Sequence, residues 1–101
     1  MNETATENEI QAKGLDAPRL SPDLINSVIA KADYHVFPGS QLTVCCLTLV
    51  NGFTVTGESA CVSPANFDKE LGERIAYDNA RNKIWALEGY LLKNRLFEAQ
   101  G

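Results

Sequence analysis

One histidine and three cysteines, two of them the adjacent Cys45 and Cys46, are thin material for catalysis or metal binding. Neighbouring residues of a strand point to opposite faces, so Cys45, Cys46, Cys61 and His35 do not converge on a zinc ion. The chain also lacks a carboxylate pair, a glycine-rich phosphate loop and a metal-spaced histidine cluster. Basic residues are scarce: nine Lys and Arg stand against thirteen Asp and Glu, for a net charge of -4. General nucleic-acid binding needs a basic surface that releases counterions, and this balance excludes it. The acidic excess is equally too mild for a mimic of DNA. No apolar run is long enough for a membrane span or a signal peptide, and three cysteines make no disulfide framework. These absences lead us to expect a soluble protein of a reducing cytoplasm, with free thiols, no cofactor, no metal and no membrane contact.

What is present fits one small α+β domain. With 101 residues and 45% hydrophobic content, the chain can bury a single modest core, enough for one sheet layer and one helical layer. Residues 1–20 are polar and acidic, with Ile10, Leu15 and Leu20 as their only larger apolar side chains, and are expected to form a mobile arm; residues 21–101 form the domain. Ser21-Pro22-Asp23 reads as a helix start, and Leu24, Ile25, Val28, Ile29 and Ala32 follow at helical spacing, predicting a short helix over 22–31. "DYHVF" is a β-rich run closed by Pro38-Gly39, after which "QLTVCCLTLV" leads through Asn51-Gly52 into "FTVTGESACV". Asn-Gly between apolar runs predicts a two-residue hairpin turn, since both central residues of a type I′ turn need positive φ. That turn would pair Val50 with Phe53, Cys46 with Gly57, Val44 with Ser59 and Leu42 with Cys61. It places Leu42, Val44, Cys46, Val50, Phe53, Val55 and Cys61 on the core face and Thr43, Thr54, Thr56 and Glu58 on the other.

From Ser63-Pro64, read as a second cap-and-proline pair, a helical period runs to about Phe97. Phe67, Leu71, Ile75, Ala76, Ala80, Ile84, Leu87 and Leu91 form its apolar stripe, with Trp85, Leu92 and Leu96 beside it. A helix of about 30 residues spans roughly 45 Å, against roughly 30 Å for a hairpin strand. Its C-terminal third therefore overshoots the sheet, and Leu91, Leu92, Leu96 and Phe97 are expected to be covered by a second copy in a homodimer or higher homo-oligomer.

Within "TVTGESACVSPANFD", the stretch Gly57-Glu58-Ser59-Ala60-Cys61 is a broken version of a nucleophile elbow. Cys61 takes the place of its last glycine, the helix starts late and the domain is too small, so Ser59 reads as a strand residue facing the core. A Cys61–His35 nucleophile and base pair is the weaker alternative. Gly57 and Ser59 leave a gap in an otherwise bulky face, which indicates close approach of the helix or a small pocket. On the helix, Arg74, Tyr77 and Arg81 recur at three- and four-residue spacing and Trp85 extends the row. Arginines beside aromatics can hold a phosphate and stack a base. Arg74, Tyr77, Arg81 and Trp85 are thus the candidate ligand residues, with Ser59 at the gap and Phe53 closing the site from a neighbouring protomer.

The segment "LTVCCLTLVNGFTVTGESACVSPANFDKELGERIAYDNARNKIWALEGYLL" resembles the small phage and prophage protein family named after gene 49 and gene 66 of two enterobacterial phages. The resemblance rests on NGFTVTGESAC, PANFD and KIWALEGYLL and leaves out residues before about 33; the family's pattern has Asp where this chain has Ser63, and either can cap a helix. It implies a protein of the bacterial host cytoplasm during infection or lysogeny. It further implies stoichiometric, non-enzymatic action against a host defence. Two forms are expected: sequestration of a cyclic nucleotide or cyclic ADP-ribose-type signal, similar to anti-Thoeris sponge proteins, or inhibition of a host protein through protein–protein contact.

Overall fold

The computed structural model describes residues 3–14 and 18–100. Its elements are α1 (Glu3–Ala12), α2 (Pro22–Ser27), β1 (Ile29–Val36), β2 (Leu42–Leu49), β3 (Thr54–Ala60), a 3₁₀ turn (Pro64–Asn66) and α3 (Lys69–Gln100). The three strands form one antiparallel sheet in the order β1-β2-β3, covered on one face by α3 with α2 beside it. This is the α+β arrangement the sequence predicts.

The N-terminal helix is shorter than its apolar spacing suggests. Ser21 caps α2 by accepting the Leu24 amide at 3.2 Å, but the helix ends at Ser27 and not at residue 31. Val28 is the C-cap, still in the right-handed helical region, and Ile29 enters strand geometry: the Val28 carbonyl accepts the Val50 amide at 2.9 Å, and Ile29 pairs with Leu49. β-branched residues lose little in a strand and gain a ladder there.

The hairpin forms, but its register is shifted by one residue. The Leu49 amide donates to the Phe53 carbonyl at 2.8 Å and the Gly52 amide to the Leu49 carbonyl at 2.9 Å, so the loop has three residues, Val50, Asn51 and Gly52. Only Gly52 takes a left-handed φ, +89°, and no non-glycine residue among those described does. Asn51 instead uses its Oδ1 to accept the Phe53 amide at 3.0 Å. A three-residue loop ending in a left-handed glycine replaces the type I′ turn. The pairs become Thr43–Ser59, Cys45–Gly57, Leu47–Val55 and Leu42–Ala60. A one-residue slip turns every side chain of β2 over. Thr43, Cys45, Leu47 and Leu49 are therefore the buried face, while Leu42, Val44 and Cys46 lie half-buried on the sheet's other side. Val55 faces the core as predicted; Val50 and Phe53 are exposed at the tip, and Cys61 lies past the strand's end.

Helix α3 begins later than Ser63-Pro64. Ser63 makes no side-chain cap bond, and Pro64–Asn66 forms only a single 3₁₀ turn. Asp68 is the cap, its carboxylate accepting the Leu71 amide at 3.0 Å. The core joins Ile25, Cys45, Leu47, Leu49, Val55, Ala76, Ala80 and Ile84. At its centre α3 lies directly on β3: a Cβ built on Gly57 would stand 2.1 Å from the Ala80 nitrogen and 2.3 Å from the Ala76 carbonyl oxygen. The gap at Gly57 is thus filled by helix backbone, flanked by Cys45 and Thr43 rather than Cys46 and Val44. Thr43 is fully buried and its hydroxyl has no hydrogen-bond partner.

Because a backbone cannot rotate away as a side chain can, Gly57→Ala is expected to destabilise the fold by at least about 3 kcal/mol, at or above the usual range for overpacking. Gly52→Ala, which strains only a loop, is expected to cost about 1–2 kcal/mol. Urea unfolding of the two variants checks the order; equal losses would mean that α3 does not rest on Gly57.

Candidate functional site

Arg81 and Trp85 project from α3 on the side facing α2 and α1. The Arg81 side chain is nearly buried and held from two directions: its Nε donates to Asn26 Oδ1 at 2.9 Å, and its Nη2 to the Pro22 carbonyl at 3.3 Å. The remaining edge of the guanidinium meets the carboxylate of Glu3 in α1. Trp85 Nε1 donates to the same carboxylate oxygen at 3.1 Å. Arginine, indole and carboxylate therefore form one cluster, in which α2 aims the arginine and α1 supplies the anion.

The charges bear this out. Hydrogen bonding from Arg81 holds the Glu3 carboxyl below the ordinary carboxylate range; burial opposes this, and the Arg81 charge and the Trp85 N–H reinforce it. Glu7, one helical turn on, is lowered in the same way by Arg19, whose Nη2 sits 2.7 Å from its carboxylate. Helix α1 has no fully buried residue, and these two carboxylates tie it down.

The other candidate residues are distributed unevenly. Arg74 is exposed two turns before Arg81, and Tyr77 is half-buried against the core, so Trp85 is the aromatic nearest the arginine cluster. Phe53 lies elsewhere, in an apolar groove of about 340 Å³ between the hairpin tip and the far part of α3, lined by Val28, Leu49, Val50, Leu87, Tyr90 and Leu91. Ser59 borders a third, smaller hollow of about 110 Å³ together with Gln41, Cys61, Asp68 and Gly72. Within one chain, only Arg81 and Trp85 of the six meet at a single group. Sequence reasoning missed Asn26 and Glu3; a short polar helix and an acidic arm give no signal of which arginine they will reach.

Elements of acyl-transfer or thiol chemistry are not assembled among the described residues. His35 is on β1 and stacks edge-on with Phe37 at 4.6 Å, whereas Ser59 is on β3 and Cys61 follows it at the opposite edge of the sheet. Cys61 Sγ donates to the Ser63 carbonyl at 3.3 Å. All three cysteines are free, and burial pushes the Cys45 thiol up, away from the reactive thiolate. No three His, Cys, Asp or Glu groups among the described residues are placed to hold a metal ion, and none of the described helices is long and apolar enough to cross a membrane.

The protein is thus a small helix-backed sheet with a charge cluster on its covering helix. The chain belongs to the phage protein family described by N4 Gp49 and phage Sf6 gene 66, whose family model matches residues 20–96. The match begins ahead of the resemblance seen in sequence, taking in α2 and its Asn26, and leaves α1 outside. No curated protein and no solved structure matches the chain.

A carboxylate whose folded pKa is depressed stabilises its contact above the unfolded pKa and loses that contribution as pH falls through the folded one. The Trp85 environment is therefore expected to stay constant from pH 7 down to about 5 and to change only on acidification below the usual glutamate range. Trp85 is the one tryptophan of the chain, so its fluorescence reads this step directly. In Glu3→Gln the step should vanish; if it persists, some other acid transition is being read.

Proposed function

We propose that this protein is a non-enzymatic phage accessory protein that acts by stoichiometric binding, sequestering a phosphorylated, nucleotide-derived host signal of the cyclic nucleotide or cyclic ADP-ribose type. One observation carries this reading: Arg81 and Trp85 converge on a single oxyanion, with the guanidinium aimed from behind by Asn26 and the Pro22 carbonyl. A planar fork of fixed orientation suits phosphate, and an adjacent indole suits a base. Arg74, exposed two turns earlier on α3, is the residue we assign to a second phosphate. Such chemistry is recognition without bond-making, as expected of a counter-defence sponge working in the host cytoplasm.

A second reading, an inhibitor or adaptor that grips a host protein, is favoured by the apolar groove. Val50, Phe53, Tyr90 and Phe97 are all more than half exposed around or beyond it. We assign this groove to a second copy of the chain. The charged residues of α3 beyond Ala86 (Glu88, Lys93, Arg95 and Glu98) sum to zero, so two copies meet there without the repulsion of the -4 net charge.

Two measurements test these assignments. Calorimetry against cyclic dinucleotides and cyclic ADP-ribose isomers should give binding to the wild type that Arg81→Ala weakens by roughly tenfold to a hundredfold, the range for one charge-assisted contact; no binding anywhere in the panel removes the sponge reading. Sedimentation at micromolar concentration should show a dimer that Tyr90→Ser with Phe53→Ser converts to a monomer. A wild-type monomer would leave the groove to a host protein and bring the inhibitor reading forward.

A further inference from the structure

The cluster at Arg81 already contains an anion, and that anion belongs to the protein. Helix α1 lies outside the family match, buries no residue fully and is docked chiefly by charge: Glu3 to Arg81 and Trp85, Glu7 to Arg19. Both pairs are largely shielded from solvent, with side-chain exposures of 11% and 21% for Arg81–Glu3, so an Arg81 vacated by Glu3 needs another anion in its place. Arg81 does not depend on α1 for its orientation, because Asn26 and Pro22 belong to α2, which the Ser21 cap and the buried Ile25 fix to the body of the fold. The receiving half of the contact is therefore built in, and the occupying half is detachable.

We propose that Glu3 is an internal stand-in for the anionic group of the ligand, and that α1 is a strap covering the Arg81–Trp85–Asn26 cradle until a phosphate or pyrophosphate group displaces it. This rests on the binding reading given above and adds its regulation. A pyrophosphate bridge carries two charges and four non-bridging oxygens against the single charge of a carboxylate, so it engages the guanidinium fork and the indole N–H together, where Glu3 uses one oxygen for both. Departure of α1 also frees the Trp85 N–H that Glu3 now engages. Helix α1, which falls within the arm expected at residues 1–20, is thus docked in one state and released in the other. Competition sets a threshold: weak or singly charged anions fail to lift the strap, and multiply charged ligands succeed.

The test uses inorganic pyrophosphate as probe and the full chain in three forms: wild type, Glu3→Gln, and Glu3→Gln combined with Arg81→Ala. Tryptophan fluorescence is expected to show Glu3→Gln binding pyrophosphate at least tenfold more tightly than the wild type, and the double variant not binding. Hydrogen exchange in α1 of the wild type should quicken at saturating pyrophosphate. Equal affinity of wild type and Glu3→Gln, with loss on removing Arg81, would overturn the strap while leaving the cradle standing. Failure of Glu3→Gln to bind pyrophosphate would overturn the cradle and the strap together. Unchanged exchange in α1 at saturation would overturn displacement.

Discussion

The contact on which everything else rests is that of α3 with the sheet at Gly57. Side chains normally hold a helix off a sheet, but here Ala76 and Ala80, one turn apart, meet a strand position with no side chain, and the helix backbone reaches the strand itself. Gly72, one turn earlier, continues the series and approaches Thr43. Placing the small residues against the strand rotates the rest of the helix: Ile84 goes to the core, Asn79 reaches the free edge of β3 to donate to the Glu58 carbonyl at 2.9 Å, and Arg81 and Trp85 turn toward α2. The charge cluster is where it is because the glycine is where it is.

Much of this could be read in the sequence, and the part that could not has a specific physical cause. Asn51-Gly52 marks the hairpin, the Ala76–Ala80–Ile84 spacing marks the buried side of α3, and Gly57 marks the close approach. The register of β2 escapes because "LTVCCLTL" is apolar on both faces: alternation cannot choose between Thr43-Cys45-Leu47-Leu49 and Leu42-Val44-Cys46. The turn decides, and the turn depends on whether Asn51 accepts a positive φ, which it does not. The chosen register buries the Thr43 hydroxyl without a partner, a penalty of about 1–3 kcal/mol that must be offset by Leu47 and Leu49 entering the core.

The candidate site shows the same limit in another form. Helical spacing sets Arg74, Tyr77, Arg81 and Trp85 along one side of α3, since that depends only on 3.6 residues per turn. Which of them meets a partner depends on elements more than fifty residues away in the chain, and no local pattern carries that information. Asn26 reaches Arg81 across 55 residues and Glu3 reaches Trp85 across 82. Phe53 follows from the register as well: a tip residue of the shifted hairpin faces Leu87, Tyr90 and Leu91 instead of the arginine side.

The length of α3 makes sense as the separation of two surfaces. At about 100° per residue, Leu87 lies roughly 200° around the helix from Trp85, and Leu91 roughly 120° from it in the opposite sense. The arginine cluster and the apolar groove are therefore on different sides of the helix, one beside α2 and the other at the hairpin tip. The last fully buried residue of α3 is Ile84; after Trp85 at the cluster and Leu87 at the core's margin, the helix runs on to Gln100 and builds the groove and the overhang. On the proposed reading, a second copy seated in the groove leaves each cradle and its α1 strap outside the contact between the two chains. Assembly and ligand capture then act as independent events, and an assembly of two chains holds two ligands without either site needing the other.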